Sequence, residues 1–480
     1  MAKWLIAFIF LCTLTLYGPA FNTYFSQDDF FHFKVSQTDG TLRGFADLFA
    51  FRSFDERKIA FYRPITREIP FGISYSLFGL NQIPLRLLSL LLVFGNIYLT
   101  YLLISKLFNK TIGWWSAFFV GISSANTANL YYLAGGMQTI GATFFILLCL
   151  LLFERHKIWS FLTFLLALGS EEQAAIIPLL LSGLYFLKNS PSVAFKKTLT
   201  NLWPHILIVL AFALADYFLI GFSKDETQYS LNFSVKRAVN TFFWYTAWAL
   251  GLPEMLIDFV LPGLKLKPTL LKYWPHYYKP VLFGFSVCMG TLIVLIVKTL
   301  KSSIIKNKTL WFLIIWFIAG LLPVLFLPQH KSTHYLYPVL SAFWGAICFI
   351  VFQKKSTVLS GVFVGGALIL NITSAFTGRE LYWAASRGRV AQKLISQVRS
   401  NHPTLPAGSA IYFKNDPDYP FVAKDWGGTS KQAAFVLNNE DALKLLYKDQ
   451  TIRVFYEDLG GIPQDFSKER VYSLTARISN

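Results

Sequence analysis

Long apolar runs recur along most of the chain, and short polar segments separate them. A run of about 20 apolar residues can cross the hydrocarbon core of a bilayer as a helix, whereas soluble domains contain few runs of this length. The pattern therefore predicts an all-α polytopic membrane protein. We predict 11 transmembrane helices, at 4–20, 84–105, 113–132, 137–153, 158–170, 173–187, 203–222, 281–298, 310–327, 335–352 and 356–374.

Two regions depart from this simple pattern. The run 158–170 is short for a crossing and meets the run 173–187 at two glutamates, so these two runs can form a broken hairpin near the outer surface. The apolar stretch 239–262 contains Gly251, Pro253, Glu254 and Asp258. We predict an interfacial or re-entrant helix there, because another crossing would reverse the orientation of everything that follows.

The pattern changes after about residue 374. Residues 384–399 have the apolar spacing of an amphipathic helix, 410–413 and 452–456 resemble short strands, and 441–447 resembles a short helix. We therefore predict two domains. Residues 1–374 form a membrane domain, and residues 375–480 form a small soluble α/β domain.

Charge along the chain predicts the orientation in the membrane. The net charge is +18, but residues 375–480 are nearly balanced, with 14 basic and 11 acidic groups. Counted from the first loop, the even-numbered connections between the predicted spans lie on the same side of the membrane as the N-terminus. Together with Lys3, these connections hold 14 basic residues and a single acid, Glu154. The positive-inside rule then predicts a cytoplasmic N-terminus. It places the first loop (21–83), the region 223–280 and the C-terminal domain on the outer face, and it explains the charge without nucleic-acid binding.

Composition agrees with this class of protein. Apolar residues make up 54% of the chain and aromatic residues 17%, far above the apolar content of soluble domains. The four cysteines all lie inside apolar runs and form no CxxC pair. They are expected to be buried hydrophobic residues rather than a disulfide framework or a metal site.

The predicted outer face gathers ionisable and tyrosyl groups next to the ends of the apolar runs. Such groups are costly at membrane depth, so their presence favours function. The most informative are two adjacent aspartates directly after the first span, which are the catalytic candidates. The full set is Asp28, Asp29, His32, Arg63, Arg67, Glu171, Glu172, Asp216, His330, Lys331, His334, Tyr335 and Tyr337.

A carboxylate beside cations indicates a division of chemical work. One acid can take a proton from a hydroxyl, while cations hold an anionic leaving group such as a lipid phosphate, which departs without protonation. A glycosidase would need a second carboxyl group as the acid. Only one of two adjacent aspartates is expected to face a substrate, and the other can hydrogen-bond its loop.

Each of these groups also has a structural explanation. An acid pair in a loop is often simply solvated, and Arg63 and Arg67 can snorkel to the membrane surface. His330 and His334 lie four residues apart, but no third ligand has a clear spacing for zinc. Glu171 and Glu172 interrupt an apolar run with no basic neighbour in sequence, so they indicate a functional or buried pairing role.

Several short motifs resemble the GT-C glycosyltransferases, especially the protein O-mannosyltransferases and aminoarabinose transferases. The resemblance covers roughly residues 1–340. It rests on the order of the motifs Asp28-Asp29-Phe-Phe-His32-Phe33, Tyr62-Arg63-Pro64, Leu-Phe-Gly-Leu-Asn81 before Arg86, Ser170-Glu171-Glu172-Gln-Ala-Ala-Ile-Ile-Pro178 and His334-Tyr335-Leu-Tyr337-Pro338. The chain departs from the family twice. Its acid pair is Asp-Asp where Asp-Glu is usual, and Glu171 stands where a lysine is usual, which removes a cation.

The resemblance implies an inverting transfer of a hexose or pentose from a polyprenyl-phosphate donor to an acceptor hydroxyl of a protein, lipid or glycan. By position, Asp28 is the base, supported by Asp29. Arg63, Arg67, His330, Lys331, His334 and Tyr335 are the groups that bind the donor phosphate. His32, Glu171, Glu172, Asp216 and Tyr337 are further site candidates. Family members differ in whether Mg²⁺ or Mn²⁺ assists, so the metal requirement stays open.

Three other functions stay open at this point. A lipid-linked sugar flippase is expected to show internal repeats and polar groups near mid-membrane, and the sequence shows no repeat. A non-catalytic scaffold would lack an outer cavity beside Asp28. An enzyme that transfers phospholipid head groups would differ in its products.

Overall fold

The computed structural model is built mostly of α-helices. It describes residues 2–59, 61–221, 229–300, 303–353, 357–419, 427–464, 466–467 and 470–478. The first helix and first loop contain α1 (Ala2–Tyr17), α2 (Asp28–Val35), α3 (Leu42–Asp47), α4 (Phe54–Arg57) and α5 (Glu68–Phe78). The rest of the predicted membrane domain contains α6 (Ile83–Leu107), α7 (Lys110–Ile122), α8 (Ala125–Tyr131), α9 (Leu133–Leu152), α10 (Lys157–Leu168), α11 (Ile177–Lys188), α12 (Pro191–Ala215), α13 (Val235–Leu250), α14 (Thr269–Tyr273), α15 (Tyr278–Leu300), α16 (Lys308–Leu325), α17 (Tyr337–Gln353) and α18 (Thr357–Leu381).

Every predicted apolar run contains a helix. Within the described residues, eight helices are long and apolar enough to cross a membrane. The predicted runs 113–132, 158–170 and 173–187 hold shorter helices instead. The chain is thus a multi-pass membrane protein, and the prediction of 11 crossings remains a prediction.

The predicted helix 113–132 is wrong as a single element, because the structure divides it into α7 and α8. The side-chain amide of Asn126 donates to the carbonyls of Val120 and Gly121, at 2.9 and 3.0 Å. These are carbonyls of the last turn of α7, which has no further helical turn to supply partners. The polar side chain thereby stabilises a helix end inside an apolar run.

The stretch 239–262 contains α13 followed by a 3₁₀ helix at Glu254–Phe259. Gly251 ends α13 with φ +128°, and a Cβ atom there would lie 2.5 Å from the Asn371 side chain. Only glycine fits this conformation and this contact. The stretch is not one of the eight long apolar helices found in the described residues, and that it does not cross the membrane stays a prediction.

Ion pairs join three of the even-numbered connections between the predicted spans at one end of the helices. Glu154 pairs with Lys106 at 3.0 Å and with Lys188 at 2.5 Å. This placement agrees with the alternation used to predict the orientation, while the identity of the cytoplasmic side stays a prediction. Three basic residues of that charge pattern, Lys301, Lys354 and Lys355, lie outside the described residues.

The C-terminal region begins with α19 (Trp383–Asn401) and contains a three-stranded parallel sheet. Its other elements are β3 (Ala410–Lys414), α20 (Thr429–Val436), α21 (Asp441–Tyr447), β4 (Arg453–Tyr456) and β5 (Val471–Thr475), with strand order β4-β3-β5. A separate two-stranded ribbon, earlier in the chain, pairs β1 (Val260–Leu261) with β2 (Lys265–Leu266). The predicted helices 384–399 and 441–447 and both predicted strands are confirmed, and β5 was not predicted.

The core of this region continues into the first loop. Phe25, Phe30 and Phe33 of the first loop belong to the same buried cluster as Leu394 of α19 and Phe413 of β3. Burial of such aromatic side chains provides a large part of the stability of an interface. The segment that carries the aspartate pair is therefore packed between the helices of the membrane part and the C-terminal region.

Candidate functional site

The aspartate pair begins α2, directly after a strained residue. Gln27 has φ +50° and ψ −118°, a conformation that glycine adopts readily and that costs other residues about 1–3 kcal/mol. Its backbone N–H donates to the Val436 carbonyl at 2.9 Å. Strain of this kind persists only where surrounding contacts enforce it, and it occurs often at functional sites.

Asp28 is exposed to a cavity and is held by one hydrogen bond. The Tyr132 hydroxyl donates to its Oδ2 atom at 2.6 Å. In the described part of the chain its Oδ1 atom accepts no hydrogen bond, so one oxygen is available to a substrate. This geometry suits a general base, which needs a lone pair within reach of the proton that it removes.

Asp29 faces the protein interior. Its two carboxylate oxygens accept hydrogen bonds from the backbone N–H groups of Ser26, at 3.1 Å, and Ala134, at 2.8 Å. Burial raises the pKa of Asp29 to about 7, against the lowering effects of Arg86 and of the two hydrogen bonds. Asp29 does not line the cavity. Its contacts attach the start of α2 to the start of α9.

Replacement of Asp29 by asparagine is expected to destabilise the protein. The amide offers only one acceptor oxygen, so its NH₂ group would face a backbone N–H and leave that donor unpaired, at a cost of about 1–3 kcal/mol. A lower midpoint of thermal unfolding in detergent would show this loss. An unchanged midpoint would contradict the structural role assigned to both oxygens.

A cavity of about 610 Å³ lies beside Asp28. It brings together eight of the predicted site residues from the first loop and from the segment between α16 and α17. They are Asp28, His32, Arg63, Arg67, His330, Lys331, His334 and Tyr335. Asp29, Glu171, Glu172, Asp216 and Tyr337 do not line it.

Arg63 lies in the cavity wall, bound to acids behind it. Its Nε atom donates to Glu172 at 3.0 Å, one Nη atom donates to Glu171 at 3.0 Å, and the other donates to Gln138. Burial raises the pKa of Glu171, while the charge of Arg63 acts against this rise. Two carboxylates thus already balance the charge of Arg63. This arrangement explains why Glu171 can stand where the family usually has a lysine.

Arg67 and the remaining predicted acids lie next to this network. Arg67 donates to the Glu68 carboxylate at 2.7 Å and to the Phe61 carbonyl at 2.6 Å. Asp216 begins a π-helical turn after α12 and is electrostatically coupled to Glu172. π-helical turns occur frequently at functional sites. Both arginines that were predicted to bind the donor phosphate, Arg63 and Arg67, are therefore held by acids.

Two other predicted residues, His32 and Tyr337, are buried. His32 packs against the ring of Phe71 with centroids 5.3 Å apart, and burial, with the nearby charges of Arg67 and Arg63, keeps its pKa well below the usual value. Tyr337 is buried in the first turn of α17. His32 reaches the cavity, whereas Tyr337 does not.

The segment before α17 is fixed by Glu254, which sequence reasoning did not select as a site residue. Its Oε2 atom accepts hydrogen bonds from the Ser332 hydroxyl at 3.0 Å and from both the N–H and the hydroxyl of Thr333, at 2.6 Å each. The ring of His334 contacts Ser332 through Nδ1 at 2.9 Å. These bonds hold the segment of Lys331 and His334 against the cavity.

Lys331 is a predicted phosphate-binding cation that has no acidic partner among the described residues. It is half-buried and makes neither an ion pair nor a hydrogen bond with the described residues, and burial lowers its pKa. The adjacent His330 packs at an angle against the rings of Tyr229 and Tyr335, with centroids 4.5 and 5.7 Å away. Burial lowers the pKa of His330 to about 4, so this ring is neutral near pH 7. An ammonium group with no ion-pair partner among the described residues, next to aromatic and imidazole rings, suits an anionic ligand.

The C-terminal region supplies a wall of the cavity that sequence reasoning missed. Arg387 of α19 donates to the side-chain carbonyl of Gln27 at 2.6 Å. Its guanidinium lies over the rings of Trp383 and Phe435, 4.7 and 4.9 Å from their centroids. All four residues line the cavity. Arg387 lies seven residues before Leu394 and four before Ala391, on the apolar face of α19, and a charge on that face is the sequence signal that could have identified it.

The other missed residues differ in how visible they were. Glu254 interrupts an apolar stretch, which is a signal of function in a membrane protein. Tyr132 directly precedes α9 and Gln138 lies in its second turn. Tyr132 carries no such signal, because tyrosine is common at helix ends near membrane surfaces. Only their contacts with Asp28 and Arg63 identify them.

A divalent ion remains a prediction for this site. Among the residues that the structure describes, no three His, Cys, Asp or Glu side chains are placed to hold a metal ion. Besides Asp28, the described residues of the cavity lining include one carboxylate, Glu254, which is bound to Ser332 and Thr333, whereas Mg²⁺ prefers several oxygen ligands. The described side chains therefore do not form a ready ligand set for Mg²⁺ or Mn²⁺.

Comparison with known families finds one match within the chain. Residues 68–220 match the model of the family described as dolichyl-phosphate-mannose-protein mannosyltransferase. This segment starts at α5 and contains Glu171, Glu172 and Asp216 but not the aspartate pair. The match confirms the resemblance to GT-C membrane glycosyltransferases and supports a glycosyltransferase-type function. No curated protein matches the chain.

Solved structures of an archaeal enzyme are similar at low identity. The oligosaccharyltransferase of Archaeoglobus fulgidus tethered to an acceptor peptide has 12% identity and a TM-score of 0.45, with 94% of this chain and 63% of that chain covered. AglB of the same organism, in complex with an inhibitory peptide and a dolichol-phosphate, has 13% identity and a TM-score of 0.44, with 90% and 63% covered. The chain spans less than two thirds of the length of these proteins.

Proposed function

We propose that the protein is an inverting glycosyltransferase that moves a sugar from a polyprenyl-phosphate donor to an acceptor hydroxyl on the outer face of the membrane. One observation carries this proposal. Asp28 presents an unoccupied carboxylate oxygen to the same cavity that holds Lys331 and the rings of His330, His334 and Tyr335. A base and an anion-binding group share one chamber next to predicted membrane helices.

The chemistry follows from these two groups. The acceptor hydroxyl donates a hydrogen bond to Asp28, which takes the proton as the hydroxyl oxygen bonds to C1 of the sugar. The bond between C1 and the phosphate oxygen breaks, and its electron pair leaves with the polyprenyl phosphate. This product is already an anion, so it needs no proton, and Lys331 stabilises its charge. Attack opposite to the leaving group inverts the configuration at C1.

The side chains around Asp28 prepare it for this role. Tyr132 donates to one carboxylate oxygen and fixes the orientation of the group. Asp29 cannot take over as the base, because it is buried and does not line the cavity. Preorganised polar groups of this kind reduce the reorganisation that a reaction requires.

We propose the acceptor to be a hydroxyl of a protein, lipid or glycan at the cell surface, and the enzyme to reside in the cell membrane if the organism is prokaryotic. The match of residues 68–220 to the mannosyltransferase family supports a protein acceptor. AglB has been solved with a dolichol-phosphate and a peptide, and we propose a polyprenyl-phosphate sugar as the donor for this chain too.

A transfer assay tests the proposal. Purified protein is incubated with polyprenyl-phosphate sugars labelled in the sugar and with a panel of peptide, lipid and glycan acceptors, and the label is followed by chromatography. We expect label to move from the lipid to an acceptor and the new bond to have inverted configuration. Movement of intact labelled lipid between the leaflets of vesicles, with no transfer to any acceptor, would instead support a flippase.

A further inference from the structure

The C-terminal module, residues 383–478, is bound directly to the segment that carries the proposed base. Lys34, at the end of α2, pairs with Asp441 of α21 at 2.7 Å. The hydroxyl of Tyr75 in α5 donates to the carbonyl of Leu445 at 2.8 Å. Together with the shared aromatic core, these bonds attach the module to the first loop on two sides.

Helix α19 approaches this segment more closely than a side chain would allow. A Cβ atom at Gly388 would lie 2.6 Å from the carbonyl oxygen of Tyr24 and 3.0 Å from the side chain of Thr23. The first distance is too short for a real Cβ atom, and the second would be an unusually tight contact. The absence of a side chain at position 388 therefore lets α19 pack against the backbone that leads to Asp28.

The module holds the strained residue before Asp28 by two hydrogen bonds. The N–H of Gln27 donates to the carbonyl of Val436 at 2.9 Å, and its side-chain carbonyl accepts from Arg387 at 2.6 Å. A glutamine with φ +50° needs such support, because an unsupported residue would relax to a common conformation. Relaxation at Gln27 would turn the start of α2 and move Asp28.

A second chain of contacts runs from the module to the carboxylate itself. The guanidinium of Arg387 lies between the rings of Trp383 and Phe435. The ring of Trp383 packs against Tyr132, with centroids 4.8 Å apart, and Tyr132 donates to Asp28. The backbone before Asp28 and the donor to its Oδ2 atom thus both depend on the first turns of α19.

We infer that the C-terminal module is part of the catalytic machinery and that Arg387 is the residue by which it positions the base. Arg387 acts through Gln27 and Tyr132, so it is a positioning residue rather than a catalytic one. The inference rests on the proposed function, because Asp28 acts as a base only if the protein transfers sugar. The support of Gln27 by Arg387 does not depend on any activity of the protein.

Substitution of Arg387 tests the positioning role in the transfer assay. Arg387→Ala is expected to lower kcat by about 10- to 100-fold, since small misplacements of reacting groups have effects of this size, with the KM for the donor changed less than about twofold. Arg387→Lys can still donate to Gln27 and is expected to retain most of the activity. Arg389→Ala is the matched control, because Arg389 is exposed on the same helix and donates only to the Glu380 carbonyl among the described residues.

A double substitution separates positioning from direct contact with the donor. Gln27→Gly adopts the same backbone conformation without strain and needs no support from Arg387. In that background Arg387→Ala is expected to have little further effect on kcat. An equal loss of activity in both backgrounds, or a raised donor KM with an unchanged kcat, would overturn the inference.

Hydrogen exchange tests whether Arg387 supports the turn at Gln27, even in a preparation that shows no sugar transfer. The amides of Asp29 and Phe30 donate to the carbonyls of Ser26 and Gln27, at 3.1 and 2.9 Å. In full-length Arg387→Ala protein these amides are expected to exchange at least about tenfold faster than in wild type or Arg389→Ala, because the turn opens more often. Unchanged exchange would overturn the inference, whereas absence of transfer by wild type with fast exchange in the variant would count only against the proposed function.

Discussion

Replacement of Asp28 by asparagine is expected to lower sugar transfer by about 10²- to 10⁴-fold, the usual contribution of a general base. The amide cannot take the proton of the acceptor hydroxyl. It can still accept the hydrogen bond from Tyr132, so the loop should keep its structure. We therefore expect kcat to fall while donor binding and the thermal unfolding midpoint stay close to those of wild type.

The matched control for this substitution is Asp55→Asn. Asp55 lies in the same loop, its side chain is 96% exposed, and its contact with Lys58 is long, at 3.9 Å. The control removes the same charge from the same part of the protein without touching the base. Full activity of Asp28→Asn would remove Asp28 from the mechanism. An equal loss in Asp55→Asn would assign the effect to the charge of the loop.

The membrane helices were the most predictable part of the structure. Each apolar run contains a helix, because in a bilayer the backbone must satisfy its own hydrogen bonds over the whole length of a run. The break between α7 and α8 was not predictable from hydropathy. It depends on the side chain of Asn126 reaching two carbonyls of the preceding turn, a contact that the apolar pattern does not record.

The common location of the polar groups was also predictable. Helix ends on one side of a membrane must meet at one surface, so residues such as Asp28 and His334 were expected to be neighbours, and both line the cavity. Which of these polar residues pair with one another was not predictable. The resemblance implies that Arg63 binds the donor phosphate, which stays a prediction, and the fold also places two glutamates from more than 100 residues away against it.

The contribution of the C-terminal module lay beyond sequence reasoning. Arg387 follows Gln27 by 360 positions, and no periodicity links residues so far apart. Its role depends on the approach of α19 at Gly388 and on the strained backbone of Gln27, which are properties of tertiary packing. Conflicts between local preference and overall fold of this kind are expected mainly at functional sites.

Replacement of Arg63 by alanine is expected to destabilise the protein by about 3–5 kcal/mol, because the loss of one partner of a buried ion pair leaves the other charges without compensation. Here Glu171 is buried and Glu172 is partly buried, and both carboxylates would lose their shared partner. The measurement is thermal unfolding in detergent. A surface control is Arg52→Ala, whose exposed pair with Asp47 should contribute less than about 1 kcal/mol.

A compensating set of substitutions tests the cause of this loss. Changing Arg63, Glu171 and Glu172 all to glutamine removes the three charges together while keeping groups that can hydrogen-bond. Since the penalty of Arg63→Ala arises from unpaired buried charge, the triple variant is expected to recover most of the stability. If Arg63→Ala instead unfolds like wild type and binds the lipid donor weakly, Arg63 contacts the donor phosphate and the glutamates only orient it.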